Sequence, residues 1–424
     1  MRFQNRRGQR YLQPPPGMRD RLPEEAERLA ALQQKFRETF ARWGYREVTT
    51  PTLEYLETII RGAGQGVEER LFKLVGIEGE LLALRPEMTV PIARLVATRL
   101  GAEALPYRLC YIASIFRGKE TRGDRLREST QAGVELVGAP GIDADAEVVA
   151  LAVEAMQEAG VEGFEIGIGH VGFLRELLAD GIEEGDQAEI KDLLYRQDFV
   201  GLRERLQELD VDQGISEAIL RLPAMRGTQA LEEARRLCPT EPARAALEEL
   251  QDLLEALQDY CPRGRIQVDL GIIRDFDYYT GVVFEGYAGN LGYPILGGGR
   301  YDHLLDRFGL PLPATGFALE VDRILGMGTP APKAPCGVLI HTQKADRARG
   351  LEVARRLRSK GVVAVVEVAG RSWGESCQAA KAQGLLLAAR IEDHQTTVRN
   401  LHTGEEWTGP LDVAEEWLRR GAGP

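Results

Sequence analysis

Four stretches of the sequence set polar groups inside otherwise apolar runs. They are Leu84-Arg85-Pro86-Glu87-Met88-Thr89, then Phe116-Arg117 through Gln131 and Glu135, then Arg274-Asp275-Phe276-Asp277-Tyr278-Tyr279-Thr280-Gly281, and finally Gly297 to Asp302. Charged groups are seldom buried without partners. Four such stretches in one domain therefore predict a single polar pocket supplied with Glu87, Gln131, Glu135, Arg274 and several tyrosines. Carboxylates and an amide suit an ammonium, an arginine suits a carboxylate, and tyrosine suits a flat ring. Together they fit an α-amino acid with an aromatic or heteroaromatic side chain.

Each feature alone has a plainer explanation. A single Glu or Gln in a strand more often sits on a solvated face. Gly297-Gly298-Gly299 fits a turn or a close strand contact. Arg274, flanked by Asp275 and Asp277, fits a surface ion pair of little energetic weight. His170, in Gly169-His170-Val171-Gly172, lacks a second ligand-type neighbour at metal spacing and is expected to be packed or hydrogen-bonded. No metal site and no cofactor is expected, and the four stretches point to a pocket only in combination.

The elements that must position these residues are legible in outline. Pro23 and Glu24, Glu25 and Glu27 open a helix that Gly44 ends, with Leu29, Leu32, Phe36, Phe40 and Trp43 on one face. A strand is predicted over 46–50, stopped by Pro51, with further strands over 71–75 and 80–84 and a helix over 91–100. Two strands, 107–116 and 131–137, flank a charged loop. From about 173 to 260 strand signals vanish and Leu, Ala, Glu and Arg dominate, which predicts an inserted helical block. Strands return at 266–270 and 282–287, and a helix is expected to begin near Gly316 and carry Leu319 and Ile324. Pro330, Pro332 and Pro335 mark a linker. Beyond it apolar strands alternate with helices, so 336–424 is read as a small separate α/β domain. Residues 1–16, basic and then rich in proline, are read as a flexible leader, and 17–330 as the core.

Composition bounds the function. The 424 residues carry 53 Lys and Arg against 65 Asp and Glu, a net charge of −12. Such a chain has no global field for a polyanion, which weighs against non-specific nucleic-acid binding. No apolar run approaches the ~18 residues of a spanning helix. Cys110, Cys238, Cys261, Cys336 and Cys377 are scattered and lack any C-x-x-C spacing, which fits reduced thiols in a cytoplasmic protein.

Taken in order, "GYREVTTPTLE", "LRPEMT", the Phe116–Gln131 loop with "QAGVELVG", "DFDYYTGVVFE", "GGGRYD" and "TGFALEVDRIL" resemble the class II aminoacyl-tRNA synthetase core. The specific resemblance is to histidyl-tRNA synthetase and its biosynthetic paralogue family, the regulatory subunits of ATP phosphoribosyltransferase. It covers most of 17–330 and, more loosely, the tail, which is similar to a synthetase anticodon-binding domain. The implied fold is α+β: a six- or seven-stranded antiparallel sheet flanked by helices, with the helical insertion and the small C-terminal α/β domain, dimeric through the stretch around Pro51. The resemblance implies a histidine pocket of Glu87, Thr89, Gln131, Glu135, Arg274, Tyr278, Tyr279 and Tyr301. Glu87 and Gln131 would hold the ammonium, Glu135 and the tyrosines the imidazole, and Arg274 the carboxylate.

The nucleotide side departs from the synthetase pattern. Arg117 and Arg323 match the arginines that clamp ATP phosphates, so the two mark a vestigial nucleotide site. Lys119 stands where a glutamate would accept from adenine, and Ser129 where an aromatic ring would stack on it. Losing a base stack alone costs roughly 1–3 kcal/mol. Met88 and the pair Asp275-Phe276 also replace synthetase-type residues, and "GIGHVGFLREL" before the helical block resembles the paralogue. The resemblance thus implies a non-catalytic regulatory subunit acting in the first step of histidine biosynthesis. It would bind L-histidine, pair with a short-form ATP phosphoribosyltransferase catalytic subunit, and self-associate as a dimer within a hetero-oligomer. No phosphoribosyl-binding loop is found in the chain itself. A coupling of ~1–3 kcal/mol between histidine and the partner would suffice for feedback control. Arg355, Arg356, Arg358 and Lys360 are read as a solvated helix face, so contact with tRNA is not expected. The alternatives are an active histidyl-tRNA synthetase and a free-standing amino-acid-binding protein.

Overall fold

The computed structural model describes residues 10–118, 126–179, 181–238, 240–261, 266–273, 277–289, 291–328, 337–392, 395–411 and 413–414. Lys119, Arg274, Asp275, Phe276 and Cys336 lie outside the described residues, as do the first nine of the leader. The chain forms two compact units, Met1–Pro330 and Ala331–Pro424.

The first unit opens with α1 (Pro23–Arg42), where Pro23 sits in the first turn with Glu24 and Glu25, and Leu32, Phe36 and Phe40 are buried. Proline there loses no helical hydrogen bond, and the carboxylates face the positive end of the helix dipole. Then follow β1 (Arg46–Glu47), β2 (Leu53–Tyr55), α2 (Leu56–Ala63), β3 (Lys73–Val75), β4 (Leu81–Leu84) and α3 (Thr89–Leu95). The long strands β5 (Tyr107–Phe116) and β6 (Glu128–Val137) lead into α4 (Ile142–Glu158) and β7 (Glu165–His170). The insertion is helical, as expected: α5 (Val171–Ala179), α6 (Glu184–Arg196), α7 (Phe199–Glu208), α8 (Gln213–Arg221), α9 (Ala230–Leu237) and α10 (Glu241–Tyr260). The unit ends with β8 (Ile266–Val268), β9 (Val282–Tyr287), β10 (Leu296–Arg300), β11 (Ala314–Glu320) and α11 (Val321–Gly326).

Its main sheet has eight strands in the order β1-β5-β6-β11-β10-β9-β7-β8. The middle is antiparallel, but β1 joins β5 and β8 joins β7 in parallel. The sheet is therefore mixed and one strand wider than expected, because two short edge strands pair where the chain returns alongside its neighbours. β11 also corrects the helix expected from Gly316. Residues 314–320 are a strand, held between β6 and β10, and the helix begins only at Val321. Strand pairing and burial on both flanks override the helical reading of this segment. A separate three-stranded sheet runs β2-β4-β3.

Side chains alternate across a sheet, and here the alternation separates core from cavity. Ala132, Val134 and Leu136 of β6, with Phe317 and Leu319 of β11 and Phe284 of β9, belong to one core cluster that also includes Phe36 and Phe40 of α1 and Val148 and Leu151 of α4. Gln131, Gly133 and Glu135 point to the opposite face.

His170 fits its expected role. Its Nδ1 accepts from Gly172 N at 3.1 Å, so Nε2 carries the proton and donates to Glu249 Oε2 of α10 at 3.0 Å. That bond holds the Glu249 carboxyl below its usual pKa and ties the insertion to β7.

The second unit contains β12 (Gly337–Thr342), α12 (Arg347–Ser359), β13 (Val363–Val366), α13 (Trp373–Ala382), β14 (Leu387–Glu392), β15 (Gln395–Asn400) and β16 (Glu406–Pro410). Its sheet order is β13-β12-β14-β15-β16, parallel over the first three strands and antiparallel after them. Ser372 and Glu375 form a capping box at the start of α13. Arg355, Arg356, Arg358 and Lys360 are exposed, as expected of a solvated helix face, and Arg358 Nε and Nη2 also donate to Ala364 O, which pins α12 to β13. A basic aromatic cluster also forms that the sequence does not reveal: Arg390 and Arg399 each lie 5.6 Å from the Trp373 ring, with His341 edge-on to it. Cys110, Cys238, Cys261 and Cys377 are free thiols.

Candidate functional site

The floor of the site is built from rows of residues paired across β5, β6, β11 and β10. One row is Ala113, Gln131 and Glu320. The next is Tyr111, Gly133, Ala318 and Gly297, and a third is Glu135, Gly316 and Gly299. Glycine at Gly316 and Gly299 is a packing requirement. A Cβ on Gly316 would collide with the Glu135 carboxyl and Val134 O, and one on Gly299 would meet Val282 O and the Tyr279 ring. The two glycines thus let a carboxylate and an aromatic ring lie flat against the sheet. Gly298, between Gly297 and Gly299 and out of phase with both, faces the core and the Phe284 ring.

Over this floor stands a small cavity, open to solvent, lined by Glu87, Thr89, Tyr111, Arg117, Gln131, Glu135, Tyr278, Tyr279, Tyr301, Glu320 and Arg323, among others. The structure therefore brings together every site residue expected from the sequence that it describes; Arg274 lies outside the described residues. Tyr111, Gly316 and Glu320 were not foreseen. The signal for Gly316 and Glu320 is the period-2 pattern of 314–320, visible only once that segment is read as a strand, and that for Tyr111 is its alternation with buried Cys110 in β5.

The polar groups are ordered. Glu87 accepts from Thr89 N at 2.5 Å and from Val90 N at 3.1 Å, capping the start of α3. Glu135 accepts from the hydroxyls of Thr89, at 2.8 Å, and Tyr301. Both acids are raised chiefly by burial: Glu87 to about 7, with its backbone donors opposing the shift, and Glu135 to about 8, with the Tyr301 and Thr89 hydroxyls opposing it. The tyrosines form one cluster, with ring centroids 4.8 Å apart for Tyr278 and Tyr279 and 5.6 Å for Tyr278 and Tyr301.

On the other side, Arg117 donates from Nε to Pro86 O at 3.3 Å and from Nη1 to Glu320 Oε1 at 3.2 Å. Gln131 Nε2 donates to the same oxygen at 3.0 Å. Arg323 donates to Pro294 O at 2.5 Å and stacks 4.8 Å from the Tyr293 ring centroid. Burial works to raise Glu320, but the charges of Arg117 and Arg323 and the bonds from Gln131 and Arg117 hold it below the usual carboxylate range. Gln131 Oε1 and Glu320 Oε2 are buried and have no hydrogen-bond partner among the described residues.

Other members of the four stretches are structural. Arg85 donates to Ser114 O, Thr50 O and Pro51 O. Met88 is buried in the core beside α3. Arg300 turns away from the cavity into a buried pair with Asp145 at 2.8 Å. Ser129 is buried in β6 opposite Ile115, on the same face as Gln131. Among the described residues no three His, Cys, Asp or Glu side chains form a metal-binding group.

The family model described as histidyl-tRNA synthetase matches residues 17–324. The ATP phosphoribosyltransferase regulatory subunit of Moorella thermoacetica is 45% identical, over 89% of this chain and 97% of its own. That of Symbiobacterium thermophilum is 42% identical, over 89% and 96%. A crystal structure from Bacillus halodurans, described as an ATP phosphoribosyltransferase regulatory subunit/histidyl-tRNA synthetase, superimposes with a TM-score of 0.78 at 37% identity, covering 87% of this chain and 96% of that one. In fold alone, the histidyl-tRNA synthetase of a Nostoc species matches with a TM-score of 0.78 over 96% of this chain and 99% of that one, at 24% identity. A polar pocket of acids and tyrosines beside Arg117, itself paired with Glu320, agrees with these likenesses: the chain belongs to the histidyl-tRNA synthetase family, in its branch of ATP phosphoribosyltransferase regulatory subunits.

Proposed function

We propose that the chain binds L-histidine in this cavity and, by its contacts with a short-form catalytic subunit, sets the activity of ATP phosphoribosyltransferase according to histidine supply. The carrying observation is the pair of buried acceptors, Gln131 Oε1 and Glu320 Oε2, that lack donors among the described residues in a cavity also holding Glu87. Buried acceptors without partners are costly, and an α-ammonium supplies three donors at once. Glu135, with its two hydroxyl donors, and the tyrosine cluster then receive the imidazole, and Arg274 the carboxylate. Histidine occupancy would alter the energies of two states of the complex, and it controls the partner by the difference. The same reading makes the chain itself non-aminoacylating, a dimer within a hetero-oligomer, and cytoplasmic; no described helix is long and apolar enough to cross a membrane.

The test has two arms. With the chain alone, histidine binding is expected by calorimetry, and histidine-dependent ATP–pyrophosphate exchange is expected to be absent. With a short-form catalytic subunit added, phosphoribosyl-ATP formation is expected to rise and then to fall as histidine is titrated in. Robust exchange by the chain alone would replace this reading with a synthetase. Failure of histidine to change the rate in the reconstituted complex would remove the regulatory role.

A further inference from the structure

We propose that Glu320 is an internal anion that takes the place of a nucleotide phosphate beside Arg117 and Arg323, excludes phosphate from that pair, and at the same time turns Gln131 toward the amino-acid ammonium. The second half rests on the reading of the cavity as a histidine site; the first half does not.

The geometry assigns both tasks to one carboxylate. Glu320 is the last residue of β11 and stands directly opposite Gln131 in the β6–β11 register. One oxygen, Oε1, accepts from Arg117 Nη1 at 3.2 Å and from Gln131 Nε2 at 3.0 Å. Because an amide has a fixed plane, committing Nε2 to Glu320 fixes where Oε1 of Gln131 must point. Among the described residues that oxygen has no hydrogen-bond partner, and neither has Glu320 Oε2 itself. Arg117 is held from behind by Pro86 O, and Arg323 by Pro294 O and the Tyr293 ring. Arg117 is therefore fixed on the carboxylate, and Arg323 is held with its charge close enough to act on it. A phosphate entering here must displace an ionised carboxylate anchored to the backbone, or sit beside it with like charge in a shielded site.

The same cleft continues into a larger one lined by Arg70, Arg117, Arg226 and Arg323. Two of these charges are already answered within the fold: Arg226 pairs with Asp269 at 3.1 Å and Arg117 with Glu320.

The experiment compares the full-length chain with Glu320→Gln, which keeps the shape and removes the charge, and Glu320→Asp, which keeps the charge. Circular dichroism and thermal unfolding establish that each is folded, and calorimetry reads inorganic pyrophosphate and histidine separately. Wild type and Glu320→Asp are expected to take up no pyrophosphate at millimolar concentration. Glu320→Gln is expected to bind it at least tenfold more tightly, with an affinity that falls as salt is raised and is lost in Glu320→Gln/Arg117→Ala. Histidine affinity should fall about tenfold in Glu320→Gln and recover in part in Glu320→Asp. Equal pyrophosphate binding by wild type and Glu320→Gln, or none by either, overturns the exclusion. Unchanged histidine affinity in Glu320→Gln overturns the positioning of Gln131. If wild type binds no histidine, the ligand assignment fails, while the pyrophosphate comparison still decides the first half.

Discussion

Glu87 and Glu135 are the two raised acids of the site, and Glu87 is the one that meets the ammonium in the proposed histidine site. Burial raises its carboxyl to about 7, above the 4.5 of an exposed glutamate. A raised carboxyl means that the folded, empty protein holds a proton that the unfolded chain releases between about 4.5 and 7. The proton's contribution to stability is therefore full below about pH 4.5 and is lost as pH rises to about 7. An ammonium needs the ionised form, so histidine binding below pH 7 must expel that proton. Affinity should then weaken by up to about tenfold per pH unit below 7, and calorimetry in two buffers of different ionisation enthalpy should show proton release. Glu87→Gln should flatten this slope; a steep slope in that variant would move the effect to another group. A second prediction concerns Gly316, where a Cβ would collide with the Glu135 carboxyl. Gly316→Ala should weaken histidine binding at least tenfold in a protein that still unfolds cooperatively. Unchanged affinity would mean that Glu135 does not need its place on the floor.

Among the elements, the α4–β10 join is the most exposed to a single change. Arg300 and Asp145 are both buried, with Arg300 Nη2 also donating to Gly141 O at 2.9 Å and Nη1 to Asp302 at 3.0 Å. Removing one partner of a buried pair strands the other charge and typically costs about 3–5 kcal/mol. Arg300→Met should therefore lower the urea midpoint strongly, and Arg300→Met/Asp145→Leu should recover part of the loss. The join also marks what was legible in the sequence. Helices with clear end signals, such as α1, and strands with long apolar runs, such as β5, were readable from local pattern. The site residues of β6 were readable because Gln131 and Glu135 stand out against Ala132, Val134 and Leu136. Arg300 and Tyr301 look equivalent in "GGGRYD", and only the phase of β10 sends one into the core and the other to Glu135. Likewise 314–320 carries helix-compatible spacing, and its neighbours in the sheet, far away in sequence, make it a strand. Glu320 was hidden for that reason: its opposition to Gln131 exists only in the register of β6 and β11.

At the scale of the whole molecule, the three-stranded sheet is the surface that calls for a partner. Tyr55 is 61% exposed, Val75 72% and Leu81 58%, and Ile77, in the turn between β3 and β4, is fully exposed. Single exposed apolar residues are ordinary, but several on one small sheet mark an interaction surface. The sheet begins at Leu53, two residues beyond Pro51, in the stretch through which the resemblance places the contact between copies of the chain. An isologous contact uses the same patch on both copies, so one charge substituted here enters the interface twice. Val75→Glu or Leu81→Glu should therefore convert a dimer to a monomer in light scattering coupled to size exclusion. Because Glu87, Gln131 and Glu135 lie in the main sheet and α3 region rather than on this surface, histidine binding by the monomer should persist. Loss of both dimer and histidine binding in a folded variant would instead mean that the cavity is completed by the second copy. A wild-type chain that is monomeric at micromolar concentration would leave the patch to the catalytic partner, and the same two variants would then be expected to abolish control of its activity.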